Sequence, residues 1–204
     1  MTCISTGLET IQKTILPGDV IAFGGTSKIS KLIKLSTGAL VSHVGIVVKT
    51  PNDNSTLSFM EATIADEKVV ISNLFEKMAT FNGNIWLLSL KRSLRASFNL
   101  EHFQLFLHAQ HNKPYDTRQA LESAFDFADH VPLLKRGLTY AKEDFNKIFC
   151  SELVAGSLEA SGIIKELNAS EVTPIEICNW DIFEDKYYRL KGKDTLIGFD
   201  SEKI

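Results

Sequence analysis

The sequence predicts an α+β fold, a mostly antiparallel sheet with helices packed on it. Three observations carry that expectation. Short β-branched or apolar runs recur between turn signals, at "VIAFGG", "SHVGIVV" and "NIWLLSL". The second of these runs, extended to "SHVGIVVKT", is separated from a further run, "TLSFMEATI", only by the turn chemistry of "PNDNS", which describes a hairpin rather than a crossover. Clear helical spacing appears elsewhere, above all in "CSELVAGSLEAS".

In chain order, "LPGDVIAFGG" (Leu16–Gly25) is a Pro-Gly turn leading into a strand that ends at paired glycines. In "TSKISKLIKLSTG", Ile29, Leu32, Ile33 and Leu35 approximate helical spacing. Thr26 or Ser27 caps its start and Gly38 ends it. The strand at Ser42–Thr50 and the returning strand at Thr56–Ile64 form the hairpin. "KVVIS" and "NIWLLSL" are further strands. The segment from Phe98 to His111 is helical, with Leu100, Phe103, Phe106 and Leu107 on one side. Residues from Thr117 to Lys147 mix helix with charged loop. From Ser151 to Ser161 a helix carries the stripe Leu153, Val154 and Leu158, with Gly162 at its C-cap. "TPIEICNW" is a Pro-started helical turn, and "YYRLKG" an edge strand.

The chain has 204 residues, 44% of them apolar, which suits one domain with a sizeable core over 1–204. A formal net charge of -3 argues against bulk phosphate neutralisation, so no nucleic-acid partner is expected. No run is long or apolar enough for a transmembrane segment. The N-terminal "MTCISTGLETIQKTILPGD" lacks a basic and an apolar signal region, so the expected location is cytoplasmic, or exported without a classical signal peptide. Cys3, Cys150 and Cys178 are too few and too scattered for a disulfide framework. His108 and His111 share a helix face, but without a third ligand they make no metal site.

Cys150 stands where an apolar run meets its helix. Unpaired N–H groups at a helix start stabilise a thiolate and can hold an oxyanion. Taken alone, the position favours a small buried hydrophobe. A nucleophile needs a base, and of the five histidines, His43 opens a strand between the small residues Ser42 and Gly45. A turn centred near Asn52 or Asp53 pairs residue 43 with a residue close to 61. Position 61 is a glutamate inside the apolar "FMEAT", where a carboxylate needs a partner. Glu61 is then the orienting acid of a triad, or else an edge glutamate facing water if the register slips by one.

"LPGDVIAF", "SHVGIVV", "FMEAT", "NKPYD" and "FCSELVAGSLEASGII", in that order, resemble the permuted papain-like branch of the NlpC/P60 superfamily. Within it the YiiX/YebB-like group is most similar, with relatives among lecithin:retinol acyltransferase-like proteins. The resemblance runs from Leu16 to about Pro174. It implies a circularly permuted papain-like fold with Cys150 as nucleophile, His43 as base and Glu61 as third residue. Tyr115, in "KPYD", is implied near the oxyanion or substrate, and Ser42 and Ser151 are expected with it as oxyanion- or substrate-binding residues, Ser151 also capping the helix. Asp19 matches a structural position that caps the turn, and Glu152 is a first-turn acid that tempers thiolate formation. Residues 117–149 are longer than the family minimum and form a substrate wall or lid, or an extra helix on the sheet.

The expected activity is a cysteine hydrolase cleaving an amide, a cysteine peptidase or amidase acting on peptidoglycan-type peptides, with no cofactor and no metal. Its partner is a peptide or acyl-amide substrate. The alternatives are a lipid amidase, thioesterase or acyltransferase using the same triad, and a non-catalytic binding domain.

Overall fold

A computed structural model describes residues 1–48, 56–63, 65–114, 150–165 and 172–193. Among these, the chain runs through β1 (Thr2–Ser5), α1 (Leu8–Ile11), β2 (Val20–Gly25), α2 (Lys28–Thr37), β3 (His43–Val48), β4 (Ser58–Thr63) and β5 (Lys68–Asn73). It continues through α3 (Leu74–Thr80), β6 (Gly83–Leu90), α4 (Leu100–Gln110), α5 (Cys150–Ala160), α6 (Pro174–Asn179) and β7 (Phe183–Lys191). The strands form one sheet in the order β1-β7-β6-β2-β3-β4-β5. Every pairing is antiparallel except β1 with β7.

The expected edge position of "YYRLKG" is corrected here. β7 lies inside the sheet, because β1 pairs along its outer side from Thr2↔Lys186 to Ser5↔Arg189. The "TCIS" run is too short and too polar to announce a strand by periodicity. Its partner, almost the whole chain away, supplies the ladder. A helix at Leu74–Thr80 also went unforeseen, although Asn73 caps it by accepting the Phe75 and Glu76 N–H groups.

Other local signals act where the sequence puts them. Ser27 caps α2 by accepting the Ser30 N–H, and Gly38 ends it in the left-handed region at φ 63°. Thr173 and Glu176 form a reciprocal capping box around Pro174. Asp19 ties the turn before β2 to the far strand. Its carboxylate accepts the Leu16 and Leu90 N–H groups, both at 2.9 Å, and pairs with Arg95. Burial nevertheless lifts this carboxyl to about 6, against the pull of Arg95 and the two N–H donors.

Both faces of the central strands are covered. In β2, Val20 and Ala22 join one apolar cluster and Ile21 and Phe23 the other. That is why "VIAFGG" is continuously apolar although its neighbours run antiparallel. On one face α5 lies across β3 and β4, its Leu153, Val154 and Leu158 buried against Val44, Ile46, Met60 and Ala62. α4 packs on α5, where Gly156 leaves room for Phe106: a Cβ there would stand 2.6 Å from the ring. The other face carries Phe23, Val47 and Phe59, with Leu74, Phe75 and Met78 of α3 packed on them.

Candidate active site

His43 is the first residue of β3, and its ring stacks at a tilt on Phe23, its register partner, with centroids 5.3 Å apart. Glu61 sits in the middle of β4 with its side chain 1% exposed. The register Ile46↔Met60, Val47↔Phe59, carried one residue on, sets Glu61 across from Gly45 and not from His43. The expected pairing therefore shifts by two residues. A shift of two preserves the face, because side chains alternate with period two. Glu61 reaches His43 diagonally, across a position that carries no side chain. Its Oε2 lies 2.7 Å from His43 Nε2.

Gly45 is thus required for space. A Cβ there would come within 2.6 Å of Phe59 Cδ2 and 3.0 Å of the Met60 carbonyl oxygen. Phe59 is fully buried and cannot yield freely. Gly45→Ala is expected to cost about 1–3 kcal/mol. Thermal unfolding should show a drop of roughly 3–10 °C in Tm, and an unchanged Tm would refute the steric argument.

Glu61 has further partners. Its Oε1 accepts from Ser72 Oγ of β5 and from Lys77 Nζ of α3, each at 2.6 Å. A buried carboxylate with three donors is fully satisfied. Burial opposes its charge, but the hydrogen bond and charge of His43, and then Lys77, win and hold the carboxyl at about 2.

Cys150 begins α5 and is 6% exposed. α5 covers the sheet face opposite Glu61, and His43, at the open end of its strand, meets both. The Cys150 thiol and the His43 ring share a hydrogen bond. With Glu61 at Nε2, the nitrogen that faces sulfur is Nδ1. The sulfur also takes the N–H groups of Val44 and Ser151. The Val44 N–H is available because the β3–β4 ladder runs only from Ile46 to Val48. Burial disfavours a thiolate, but the His43 charge and hydrogen bond and these two N–H groups outweigh it, so the Cys150 thiol titrates below its ordinary value. Burial also disfavours the imidazolium, yet Cys150 and then Glu61 raise His43 to about 9. Each partner therefore favours the charged form of the other, thiolate beside imidazolium. The pair is reached from outside at His43, whose side chain is 21% exposed. By contrast, burial alone pushes the Cys178 thiol far up, as befits a core residue.

No protein-family model matches the chain, and no curated protein does. Among solved structures, the chain is similar to the metalloprotein yiiX from Escherichia coli O157:H7, DUF1105. The TM-score is 0.49 at 20% identity, over 72% of this chain and 67% of that one.

The remaining expected site residues fall differently. Ser42 is 4% exposed, and its Oγ accepts the Gly25 N–H at 3.1 Å and donates to the Phe23 carbonyl at 3.3 Å. Its hydroxyl thus links the end of β2 to the entry of β3. Ser151 is buried in the first turn of α5, and its backbone N–H serves the sulfur. Tyr115 and residues 117–149 lie outside the described residues. Among the described residues no three His, Cys, Asp or Glu side chains group so as to hold a metal, and no helix is long and apolar enough to cross a membrane. Ser72 and Lys77 were not foreseen as members of the site. A cap signal at Asn73 before Leu74, Phe75 and Met78 could have revealed the helix, but not that its lysine reaches a carboxylate on β4.

Proposed function

We propose that this protein is a cysteine hydrolase of the permuted papain-like NlpC/P60 type, close to the YiiX/YebB-like group, that cleaves an amide through Cys150, His43 and Glu61. One observation carries the reading. A buried glutamate binds one nitrogen of His43 at 2.7 Å, while the same ring hydrogen-bonds a cysteine at a helix start. Supporting it are the chain order of the motifs and the antiparallel sheet crossed by the cysteine's helix.

The chemistry follows from the charges. The Cys150 thiolate attacks the carbonyl carbon, a C–S bond forms, and the carbonyl π electrons move to oxygen. N–H groups of the first turn of α5 hold that oxyanion. As it collapses the C–N bond breaks, and the leaving amine takes the proton from the His43 imidazolium. Water then attacks the thioester while His43 takes its proton, releasing the acid and restoring the thiolate. Glu61 keeps the ring oriented and its charged form stable throughout. No step requires a cofactor.

The proposed substrates are peptidoglycan-type peptides. The test offers the purified protein and its Cys150→Ala variant a panel of murein peptides, lipid amides and acyl thioesters, read by mass spectrometry. Cleaved murein peptide with the protein and none with the variant is the expected result. Products only from lipid amides or thioesters would move the reading to acyl-lipid chemistry on the same triad. No product from any member would favour a binding domain.

A further inference from the structure

Four ionisable groups of the site lie in contact one after another, Cys150, His43, Glu61 and Lys77, and their charged forms alternate in sign. The last of them has no part in the chemistry above. Lys77 Nζ lies 2.6 Å from Glu61 Oε1 and 5.7 Å from the centroid of the Phe23 ring, on which His43 stacks. Its side chain is 25% exposed, against 1% for the carboxylate it meets. The cation therefore faces inward, toward the triad, from a helix that closes that face of the sheet.

Charge balance gives this contact a consequence. If Glu61 met His43 alone, the imidazolium and carboxylate would already neutralise each other. A thiolate beside them would then be an uncompensated negative charge in a buried site, which is costly. The site would lower that cost by keeping the proton on sulfur. With Lys77 on the other oxygen of Glu61, the carboxylate is balanced from behind, and the imidazolium charge is left for sulfur. Resting on the triad reading above, we infer that Lys77 is a positioning residue whose charge, passed through Glu61, permits Cys150 to be a thiolate at neutral pH.

The surroundings fit this assignment. Ser72 donates to the same Oε1 but carries no charge, so it fixes the carboxylate without balancing it. Lys191 of β7, also close to α3, spends its ammonium on the Met78 carbonyl. Among the described residues, the groups that face Glu61 are thus His43 from β3, Ser72 from β5 and Lys77 from α3, with Cys150 of α5 beyond the ring.

The experiment needs no substrate. The pH midpoint of thiolate formation at Cys150 is read from ultraviolet thiolate absorbance and from the pH dependence of iodoacetamide alkylation, located by peptide mass spectrometry. Lys77→Met is expected to move the midpoint upward by about one unit or more, a tenfold or greater loss of thiolate at a fixed pH below it. Lys77→Arg should restore it, and Ser72→Ala should move it far less. The double variant Glu61→Gln/Lys77→Met removes both members of the buried pair, so its fold does not depend on an orphaned charge. The inference expects its midpoint back near that of the unsubstituted protein. A merely structural lysine would leave the double variant at least as displaced as Lys77→Met. A folded Lys77→Met protein with an unmoved midpoint would overturn the inference. So would a double variant still displaced, which also decides the matter if Lys77→Met does not fold. Failure of the triad reading looks different: Cys150 would titrate as an ordinary thiol before any substitution.

Discussion

Alkylation of Cys150 by iodoacetamide is expected to fall less steeply between pH 8 and pH 6 than that of an ordinary thiol. An ordinary thiol, with a pKa of about 8.5, loses roughly 80-fold of its thiolate over that interval. Cys150 should lose less, because the His43 imidazolium and the Val44 and Ser151 N–H groups lower its thiol below the ordinary value. His43→Ala removes the cation, and the steep ordinary slope should return. Cys178 is the internal control: it is fully buried and its thiol is pushed up, so it should react only on unfolding. Cys150 alkylation that falls as steeply as that of a free thiol would remove the activated nucleophile. Turnover should follow the same pair of groups. On the proposed mechanism it should decline in acid as the thiolate takes a proton, and again near pH 9 as the imidazolium loses the proton needed by the leaving group.

Glu61→Gln is the second large effect, and it acts on activity and stability together. The substitution keeps the size of the side chain but removes the charge that raises His43. Turnover is expected to fall by about 10²–10⁴, the range set by loss of an orienting acid. The alkaline limb should also move below pH 9, since the imidazolium loses its carboxylate. Stability has a definite sign. Glu61 is held at about 2 in the fold, below the ordinary 4.5. Its contribution is therefore fully present above pH 4.5 and is lost as the pH falls through 4.5 toward 2. That contribution is about 3 kcal/mol, and the variant also leaves the Lys77 ammonium without its carboxylate. Urea unfolding at pH 7 should separate the two proteins, and the separation should shrink toward pH 2. Full turnover in the variant would mean that Glu61 does not orient His43.

The position of Cys150 at a helix start and of His43 at a strand start could be read locally. Cap residues, turn chemistry and the stripe Leu153, Val154 and Leu158 announce them within a few residues of chain. Glu61 was legible as a carboxylate on the same face as His43, because alternation fixes faces wherever one face is apolar. Its true opposite number was not legible. The register depends on how Gly45 packs against Phe59 and where the β3–β4 ladder stops. Faces repeat every two residues, so an estimate wrong by two still gave the right contact.

What the sequence determined by itself was the local inventory: an α+β pattern of strands and helices, a cysteine on a helix dipole, and a histidine and a glutamate on neighbouring strands. The tertiary structure alone decided what surrounds them. It placed β1 outside β7, turned the Val44 N–H to the sulfur, and brought Ser72 and Lys77 to the second oxygen of Glu61. The physical reason is range. Periodicity and capping are set by neighbours a few residues apart, whereas the charge on a buried group is set by whatever distant segments pack against it. No local pattern records that Lys77, on helix α3, ends 2.6 Å from a carboxylate sixteen residues earlier on strand β4.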